Sequence, residues 1–381
     1  MNTRAPYKVI VWGTGSVGKV CLREIVNRPE FELVGVFGYR PDKIGKDAGE
    51  VIGQAPVGVK INNDVDAMLA TSADCVLWCA GFPIGSIGRK MEETVPRLLA
   101  SGKNVITCAA HHYPPARGSQ YATRLEDACL TGGSSLHGTG ENPGFWLERV
   151  AVTLTGCTSR VHSLTLSEYA DVAKPSEGGN PSIMGFSLTK EQATQPGPIS
   201  KVWENYYFEE AVQLASLALF GKPLERFAID PVLTLAEADV VLDKAKGDPI
   251  DFKVPQGHVL AITNNYRGFV DGENKLTISG NWFLTEKYSP FHGKKDSMWD
   301  IEIEGDPVSL ACNINAFASL RERRLYRPGD TTTPTWSVTG ITMVQAIPRV
   351  VAAPPGFVYA SVFAHSSPDY RLLENRASIV G

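Results

Sequence analysis

The chain has 381 residues, of which 43% are hydrophobic and 20% are charged, so it contains enough apolar side chain to bury a substantial core. Its 37 lysines and arginines nearly balance its 41 aspartates and glutamates and form no basic block, which excludes the charge pattern typical of a nucleic-acid-binding protein. No apolar run approaches about 18 residues, and the chain does not open like a signal peptide, so we expect a cytoplasmic protein without a membrane partner.

The first part of the chain alternates short apolar runs with helical stretches. Strands are predicted at residues 9–12, 33–37, 75–79, 105–107 and 134–136, and helices at residues 17–27, 64–70, 91–101 and 120–130. The strands lack period-two alternation, as expected when both faces of a sheet are covered. This order predicts an α/β fold, with an N-terminal Rossmann domain over residues 1–145 that contains a doubly wound parallel sheet.

The pattern changes beyond residue 140. A helix is predicted from Asn142-Pro143-Gly144 to about residue 150, and alternating strands at residues 161–169, 258–270, 275–284 and 299–304. Asp271-Gly272 favours a hairpin turn. We predict a C-terminal α+β domain with a mostly antiparallel sheet at residues 146–333, for substrate binding and dimerisation. A helix and tail at residues 334–381 are expected to return toward the Rossmann domain.

Two other segments carry structural expectations. Residues 175–198 are rich in Gly, Pro, Ser and Asn, which predicts a loop beside a site. The seven cysteines are odd in number and scattered among apolar residues, which indicates reduced, buried thiols rather than a disulfide framework. Cys75 and Cys79 share one face of a predicted strand, but no further His or Cys pair completes a metal site, so no metal is expected.

A glycine-rich turn follows the first predicted strand. Gly13-Thr14-Gly15-Ser16-Val17-Gly18 has the pattern G-x-G-x-x-G and precedes a helix. The glycines allow a tight turn, close approach of the backbone to a pyrophosphate, and close packing of the helix on the sheet. The helix amino end favours the anion. We predict a dinucleotide site here; the alternative is a purely structural glycine turn.

The end of the second strand indicates which dinucleotide binds. An NAD site usually has an acidic residue there, whereas this strand ends Phe37-Gly38-Tyr39-Arg40. Arg40 can pair with a 2′-phosphate and stack on adenine, and Lys43 adds positive charge. We therefore predict NADP (NADPH) as the cofactor, against the alternative that Arg40 and Lys43 are solvated turn residues.

Further sequence strings accompany the glycine motif. They are Val105-Ile106-Thr107-Cys108, Tyr113-Pro114, Gly138-Thr139-Gly140-Glu141-Asn142-Pro143-Gly144-Phe145 and Ala346-Ile347-Pro348-Arg349-Val350-Val351-Ala352-Ala353-Pro354-Pro355-Gly356. Together they resemble the 2,4-diaminopentanoate dehydrogenase and native amine dehydrogenase family, often described as dihydrodipicolinate-reductase-like. The resemblance covers nearly the whole chain. It implies a two-domain, usually dimeric NAD(P)H oxidoreductase that adds hydride to an imine formed from a carbonyl and ammonia, or runs the reverse oxidation.

The chain departs from the family in two places. Dihydrodipicolinate reductases carry a His-His, Lys and Asp-Ala-Pro-Ser-Gly pattern, of which residues 174–179 are only a faint echo, so that activity is not expected. The amine dehydrogenases resemble one another in having a glutamate pair before the Tyr-Pro, where one glutamate orients the amine and handles its proton. Here Ala109 and Ala110 occupy those positions.

Several residues are candidates for the missing proton-exchanging group. His111 and His112 follow the displaced position, and imidazole suits proton exchange near neutrality; the alternative for each is a loop histidine bonded to backbone or water. Glu141 stands where the family commonly has an aliphatic residue, so its carboxylate could replace the lost glutamate or simply face a helix amino end. Tyr169 ends a predicted strand and could donate its hydroxyl proton or serve packing.

The residues predicted to bind the cofactor share the glycine turn and the ends of the parallel strands: Gly13, Thr14, Gly15, Ser16, Val17, Gly18, Tyr39, Arg40, Lys43, Cys79, Ala80, Gly81, Ala109, Asn142 and Pro143. Trp203, Tyr206 and Tyr207 either line a bulky apolar substrate pocket or cap the core. The resulting prediction is an NADP(H)-dependent oxidoreductase that transfers hydride to an imine or ketone of a small, largely apolar substrate. The alternatives are an alcohol dehydrogenase-type carbonyl reductase and a non-catalytic NADP-binding or redox-sensing protein.

Overall fold

The computed structural model describes residues 5–81, 85–174, 180–204, 206–317 and 332–360. The chain divides into two compact units. The first contains the described residues of Met1–Gly144 and Ala318–Tyr359, and the second contains those of Phe145–Phe317. No helix in the described part of the chain is both long enough and apolar enough to cross a membrane.

The elements are numbered in chain order. The strands are β1 (Tyr7–Trp12), β2 (Phe31–Phe37), β3 (Ile61–Asn62), β4 (Cys75–Trp78), β5 (Asn104–Thr107), β6 (Ser135–Gly138), β7 (Arg160–Asp171), β8 (Arg226–Leu235), β9 (Val240–Leu242), β10 (Phe252–Val254), β11 (Val259–Val270), β12 (Glu273–Phe283), β13 (Met298–Asp306), β14 (Leu310–Asn315) and β15 (Gly356–Phe357). The α-helices are α1 (Ser16–Val26), α2 (Ala48–Val51), α3 (Val65–Ala70), α4 (Gly85–Ala100), α5 (Ser119–Gly132), α6 (Val152–Leu154), α7 (Lys190–Thr194), α8 (Pro198–Trp203), α9 (Tyr206–Phe220) and α10 (Pro334–Val351). A π-type helix spans Glu141–Ala151 and leads into α6.

The first unit contains a seven-stranded sheet in the order β15-β6-β5-β4-β1-β2-β3. Its strand pairs are parallel, and residues of β1 and β4 are fully buried, as the absence of alternation in the sequence predicted. Trp12 stacks between Phe37 and Trp78, at 4.0 Å and 5.0 Å between ring centroids, and this ties β1 to both neighbouring strands. The predicted α/β class with a doubly wound parallel sheet is confirmed.

Helix α10 packs on α1 within the first unit. A methyl group at Gly340 would lie 2.6 Å from a side-chain carbon of Val20, so glycine is what allows the two helices to approach this closely. The helix continues through Pro348 to its last residue, Val351. Helix α10 therefore packs directly against α1, the helix that follows the glycine turn.

The second unit contains a six-stranded sheet in the order β14-β13-β7-β12-β11-β8. Its pairs are antiparallel except for β7 with β12, so the predicted mostly antiparallel sheet is confirmed. The β11–β12 hairpin turns at Asp271 and Gly272, which both have positive φ as a primed turn requires. Strand β8 was not among the strands predicted from the sequence. It contains Pro231 and lies at the edge of the sheet, where a missing N–H is tolerated.

The two faces of this second sheet differ. One face, called the inner face here, packs against α9 and the π-type helix, where Tyr266 stacks on Phe208 at 4.0 Å and Trp299 stacks on Trp146 at 4.8 Å. The opposite face is polar along β11 and β12, where Ser279 donates a hydrogen bond to Asn265. Side chains alternate between these faces along each strand.

The cysteines are free thiols, as predicted, but they are not all buried. Cys157 is exposed, and the expectation of a buried thiol is wrong there because it ends a short 3-10 turn outside both sheets. Cys21 and Cys79 are buried with their sulfur atoms 3.6 Å apart. The described residues contain no group of three or more His, Cys, Asp and Glu side chains placed to hold a metal ion.

Candidate active site

The glycine turn between β1 and α1 depends on two glycines for its shape. Gly13 has a φ of +116°, and a methyl group there would lie 3.0 Å from the backbone of Cys79 and Ala80 at the end of β4. A methyl group at Gly18 would lie 2.0 Å from the Gly13 carbonyl oxygen. Both positions therefore exclude any side chain, and the turn is drawn tightly against the sheet.

Gly15 differs from the other two glycines because the space beside it is open. A methyl group there would meet nothing within 4 Å. Gly15 is the N-cap of α1; its cap position carries no side-chain hydrogen bond, and the first turn of α1 contains no acidic residue. The backbone N–H groups of Ser16 and Val17 thus begin a helix whose end suits a phosphate anion. These residues fit the pyrophosphate of a dinucleotide.

Two residues that follow β2, Tyr39 and Lys43, are hydrogen-bonded to neighbouring parts of the first unit. Tyr39 accepts a hydrogen bond from the Trp12 indole at 3.1 Å, and burial raises the pKa of Tyr39. Lys43 is buried, and its Nζ donates to the Thr14 carbonyl oxygen at 2.7 Å. The interpretation of Lys43 as a solvated turn residue is therefore wrong, because its ammonium group is bonded to the glycine turn itself.

Arg40 is more than half exposed and pairs with Asp42. Its Nε and Nη2 donate to the two carboxylate oxygens at 3.0 Å and 3.1 Å, and this hydrogen bonding lowers the pKa of Asp42. The guanidinium group thus already binds an anion through two parallel hydrogen bonds, the same bidentate arrangement in which arginine binds two oxygen atoms of a phosphate. A pocket of about 250 Å³ adjoins this segment, and it is lined by Lys19, Asp42, Lys43, Lys46, Glu50 and Val51.

The loops that follow β5 and β6 run directly against each other. The Thr139 N–H donates to the Thr107 carbonyl oxygen at 2.9 Å. A methyl group at Gly138 would lie 2.6 Å from the Ala110 carbonyl oxygen, and one at Gly140 would lie 3.1 Å from the Cys108 carbonyl oxygen. The segment that leads into Glu141 therefore lies along the segment that contains Ala109 and Ala110.

Glu141 is only 4% exposed. It is the first residue of the π-type helix, and Asn142 after it has non-helical backbone angles of φ −128° and ψ 125°. The chain is therefore not simply helical at the point where the carboxylate emerges. A buried carboxylate thus follows directly on the segment that lies along Ala109 and Ala110.

Two neighbours of Glu141 carry polar atoms that have no hydrogen-bond partner among the described residues. They are the Thr139 hydroxyl and both the Nδ2 and Oδ1 atoms of Asn142. Buried polar atoms of this kind are destabilising unless a partner such as a ligand or an ordered water bonds them. The Asn142 amide offers one donor and one acceptor together, which matches a carboxamide such as that of nicotinamide. Pro143 follows and is buried.

His111 is a buried, neutral imidazole. Burial, and after it the positive charge of Arg117, lowers the pKa of His111 to about 3. Its Nδ1 lies 3.2 Å from the Thr107 hydroxyl, and its ring is parallel to that of Tyr121 at 6.3 Å. An imidazole with this pKa is not protonated near neutrality, which argues against the expected role of His111 in proton exchange.

His112 is also buried and lies under the Gly138–Gly144 turn. A methyl group at Gly144 would be 3.1 Å from its Cε1 atom. The ring therefore supports the loop that carries Glu141 and Asn142. Ala109 is half-buried, and Gly81, which has a φ of +21°, follows Cys79 and Ala80 beyond β4.

Tyr169 belongs to the second unit, on the polar face opposite the inner face. Its ring contacts Phe291 at 5.8 Å, and Lys294 lies 5.0 Å above it. Burial, followed by the charge of Asp300, raises the pKa of Tyr169 to about 12, which disfavours release of its proton. Tyr207 is in the inner-face core and Tyr206 is exposed, whereas the Trp203 side chain and residues 175–179 lie outside the described residues.

Thr139 and Asp42 lie in the candidate site but were not predicted from the sequence. Thr139 lies within the quoted run of residues 138–145, but its importance depends on burial without a partner, which no sequence pattern reports. Asp42 was two residues from Arg40, and that spacing could have indicated the ion pair.

Comparison with known proteins gives a consistent result. Residues 7–77 match the family described as dihydrodipicolinate reductase, N-terminus. The chain is 25% identical over 282 residues to 2,4-diaminopentanoate dehydrogenase of Acetoanaerobium sticklandii. The aligned region covers 71% of this chain and 74% of that protein. It is 28% identical over 166 residues to an amine dehydrogenase of Streptomyces virginiae, or 42% of this chain and 45% of that one.

The chain is similar in sequence to the amine dehydrogenases. The resemblance seen in its sequence strings is thereby confirmed, and the chain is an oxidoreductase with an NAD(P)-binding fold. The solved structure of an amine dehydrogenase from Mycobacterium smegmatis superposes with a TM-score of 0.69 over 94% of this chain and 96% of that one. At 18% identity this likeness concerns the fold alone.

Proposed function

We propose that this protein is an NADP(H)-dependent oxidoreductase that transfers hydride to an imine or ketone of a small, largely apolar substrate, with Glu141 in place of the family's glutamates. The observation that carries the proposal is the contact between the two loops. The segment from Gly138 to Gly140, which leads into the buried Glu141, lies along the segment that contains Ala109 and Ala110, and this supports a carboxylate close to the positions where the resemblance would place the glutamate pair.

The dinucleotide would be held by groups already arranged for it. The amino end of α1 at Gly15 would bind the pyrophosphate, and Asn142 would bond the carboxamide. Arg40 would bind the 2′-phosphate by exchanging its present carboxylate partner for a phosphate. When bound, the cofactor supplies or removes the hydride. The absence of an acidic residue between Phe37 and Arg40 supports NADP over NAD.

The proton needs a separate group, and Glu141 is better suited than His111. A buried carboxyl can hold a proton and release it to a developing amine or alkoxide. His111 is held neutral by burial and by Arg117, so it has no proton to give as an imidazolium. The cytoplasmic location and the homodimer that the resemblance implies remain predictions.

Steady-state oxidation of NADPH with a panel of ketones, with and without ammonium, tests the proposal. Turnover that needs ammonium supports amine dehydrogenase chemistry, and turnover without it supports reduction of a carbonyl or a preformed imine. Because a single carboxylate at Glu141 would stand in for a pair of glutamates, we expect ammonium-dependent turnover to be weak. Strong turnover of simple ketones with ammonium would show that the alignment of Ala109 and Ala110 with the glutamates is wrong.

The same panel separates the enzyme from a non-catalytic dinucleotide-binding protein. Tight NADPH binding without consumption by any imine, ketone or enone would contradict the proposed activity. It would leave the dinucleotide site as the only part of the proposal that stands.

A further inference from the structure

The pocket of about 250 Å³ beside the segment that follows β2 has a charged lining. One water molecule occupies roughly 30 Å³ in the liquid, so the pocket has room for a phosphate group. All but one of the residues that line it carry a charge: Lys19, Asp42, Lys43, Lys46, Glu50 and Val51. Such a lining suits an ionic group of a ligand and does not suit an apolar one.

Arg40 and Asp42 together carry no net charge. The guanidinium group donates to both carboxylate oxygens of Asp42, at 3.0 Å and 3.1 Å. A ribose 2′-phosphate, by contrast, carries a charge of about −1.5 to −2 near neutral pH. Because Asp42 belongs to the same turn, Arg40 alone does not neutralise such a group. Binding of a 2′-phosphate at this place therefore needs a second cation.

Lys46 supplies a positive charge close to Asp42. Hydrogen bonding to Arg40 and, more weakly, the charge of Lys46 lower the pKa of Asp42. Lys43 is instead buried, and its Nζ donates to the Thr14 carbonyl oxygen at 2.7 Å. The Lys46 side chain is exposed to water. Its charge thus acts on the place that the Asp42 carboxylate now occupies.

Hydrogen bonds hold the backbone of Lys46 in place. Its N–H donates to the Lys43 carbonyl oxygen at 3.2 Å, and its carbonyl oxygen accepts from the Ile61 N–H at 2.9 Å. The Gly45 N–H donates to the Ile61 carbonyl oxygen at 2.8 Å. The turn is therefore tied to β3 of the parallel sheet, so only the lysine side chain has to be ordered when a ligand binds.

Two carboxylates in the lining oppose an anion. Asp42 is more than half exposed, and exposed ion pairs are weak, so Arg40 can exchange this partner for a phosphate. Glu50 is also exposed, where water and salt screen its charge. Both carboxylates are compatible with a bound phosphate, but they increase the importance of the second cation.

We propose that the 2′-phosphate of the dinucleotide binds in this pocket and that Lys46, with Arg40, determines the preference for NADP over NAD. The phosphate would displace the Asp42 carboxylate from Arg40 and would accept hydrogen bonds from the guanidinium group and from the Lys46 ammonium group. The inference rests on the proposed function in taking the dinucleotide to be NADP.

Calorimetric titration of the full-length protein with adenosine 2′,5′-bisphosphate and with adenosine 5′-phosphate tests the pocket, because the two probes differ only in the 2′-phosphate. We expect the wild type to bind the bisphosphate at least tenfold more tightly. Lys46→Gln should reduce that preference by about three- to tenfold and leave the affinity for adenosine 5′-phosphate unchanged. An unchanged preference in a folded Lys46→Gln protein would overturn the proposal.

Lys46→Arg and Lys90→Gln are the matched controls. Lys46→Arg keeps the charge and should keep the preference for the bisphosphate. Lys90 of α4 is another exposed lysine, whose Nζ lies 5.0 Å from the centre of the Tyr39 ring, but it does not line the pocket. Lys90→Gln should leave the preference unchanged. A loss as large as that of Lys46→Gln would place the phosphate outside the pocket and contradict the proposal.

These measurements distinguish the pocket from the proposed function, because the two probes carry no nicotinamide. A preference that depends on Lys46, without consumption of NADPH by any substrate of the panel, would uphold the pocket and contradict the proposed reaction. Consumption of NADPH, with a preference that depends on Arg40 but not on Lys46, would uphold the reaction and contradict the pocket. Equal binding of both probes by the wild type would contradict both the pocket and the choice of NADP.

Discussion

Two regions of the first unit lie at the carboxyl ends of parallel strands, and they differ in whether backbone or side chains form them. The glycine turn after β1 is made of backbone, and its geometry is set by positions where no side chain fits. The paired loops after β5 and β6 are made of buried side chains, among them Glu141, His111 and Asn142. Backbone sites follow from a short motif, whereas side-chain sites depend on which loops the fold brings together.

The difference also explains how each region tolerates change. At the glycine turn, a single added carbon meets backbone that cannot move aside. In the paired loops, Ala109 and Ala110 stand where the resemblance places the family's glutamates, and the strands β5 and β6 before these loops are both formed. If Glu141 supplies the carboxylate, as proposed, a chemical group lies on the neighbouring loop while the fold is kept.

The largest expected effect separates two glycines of the same turn. Gly18→Ala should destabilise the protein by about 3 kcal/mol or prevent folding, because the new methyl group would lie 2.0 Å from the Gly13 carbonyl oxygen. Gly15→Ala should change the free energy of unfolding by no more than about 0.5 kcal/mol, because its methyl group meets open space. Chemical denaturation of both variants measures this contrast.

The Gly15→Ala variant is also expected to bind the dinucleotide more weakly than the wild type. Gly15→Ala should weaken NADPH binding roughly tenfold or more, because the methyl group occupies the place where the backbone would approach the pyrophosphate. Unchanged affinity in a stable Gly15→Ala protein would show that the pyrophosphate is bound elsewhere.

A smaller effect is expected at the end of β2, where a side chain adds to the backbone site. Arg40→Ala should weaken NADPH by about ten- to a hundredfold and NADH far less, because loss of a charge-assisted bond costs roughly 1.5 to 3 kcal/mol. Fluorescence titration with both dinucleotides measures the two losses. Equal losses would reject the assignment of Arg40 to the 2′-phosphate.

Asp42→Asn provides the counterpart to this variant. It removes the carboxylate that now holds Arg40, and exposed ion pairs contribute only about 0.2 to 1 kcal/mol. NADPH affinity should therefore rise by a few fold, with NADH affinity unchanged. A fall in NADPH affinity would indicate that Asp42 positions Arg40 rather than competes with the phosphate.

The smallest effect at neutral pH is expected from His111→Asn. The folded-state pKa of about 3 lies below the ordinary value near 6.5, so the unfolded chain takes up the proton first as pH falls. The stability linked to neutral His111 is complete above about pH 6.5 and is lost toward pH 3, by up to about 1.4 kcal/mol per pH unit. Asparagine suits the positive φ of 65° and removes this dependence.

Urea denaturation at pH 7.5, 6 and 5 measures that dependence. The wild type should lose stability more steeply than His111→Asn, whereas His292→Asn, at an exposed position, should follow the wild type. Parallel curves for all three proteins would contradict the buried, neutral state of His111. Turnover at neutral pH should change little in His111→Asn.

The sequence predicted the parts of the molecule that local patterns specify. The strands around Trp12 and Trp78 were found from unbroken apolar runs, and the β11–β12 hairpin was found from Asp271-Gly272. β8 was missed because Pro231 argues against a strand unless the strand is known to be at an edge. Edge position is a property of the whole sheet.

The candidate site was predictable only in outline. The glycine turn and Arg40 could be located, but the burial of Lys43 and its bond to Thr14 depend on contacts across the fold. The placement of Tyr169 away from the inner face follows from the parity of β7, which a one-residue error in register would reverse. The depressed pKa of His111 depends likewise on tertiary burial and on Arg117.

The central claim is that Glu141 replaces the missing glutamates, and single-turnover oxidation of NADPH by Glu141→Gln tests it most directly. Glutamine keeps the shape of the side chain but cannot exchange a proton, so we expect the rate to fall by about a hundredfold while NADPH affinity stays near that of the wild type. His111→Asn and His112→Asn serve as matched controls. An unchanged rate, with a loss of only about 0.3 to 1 kcal/mol of stability, would identify Glu141 as a helix-end anion and contradict the claim.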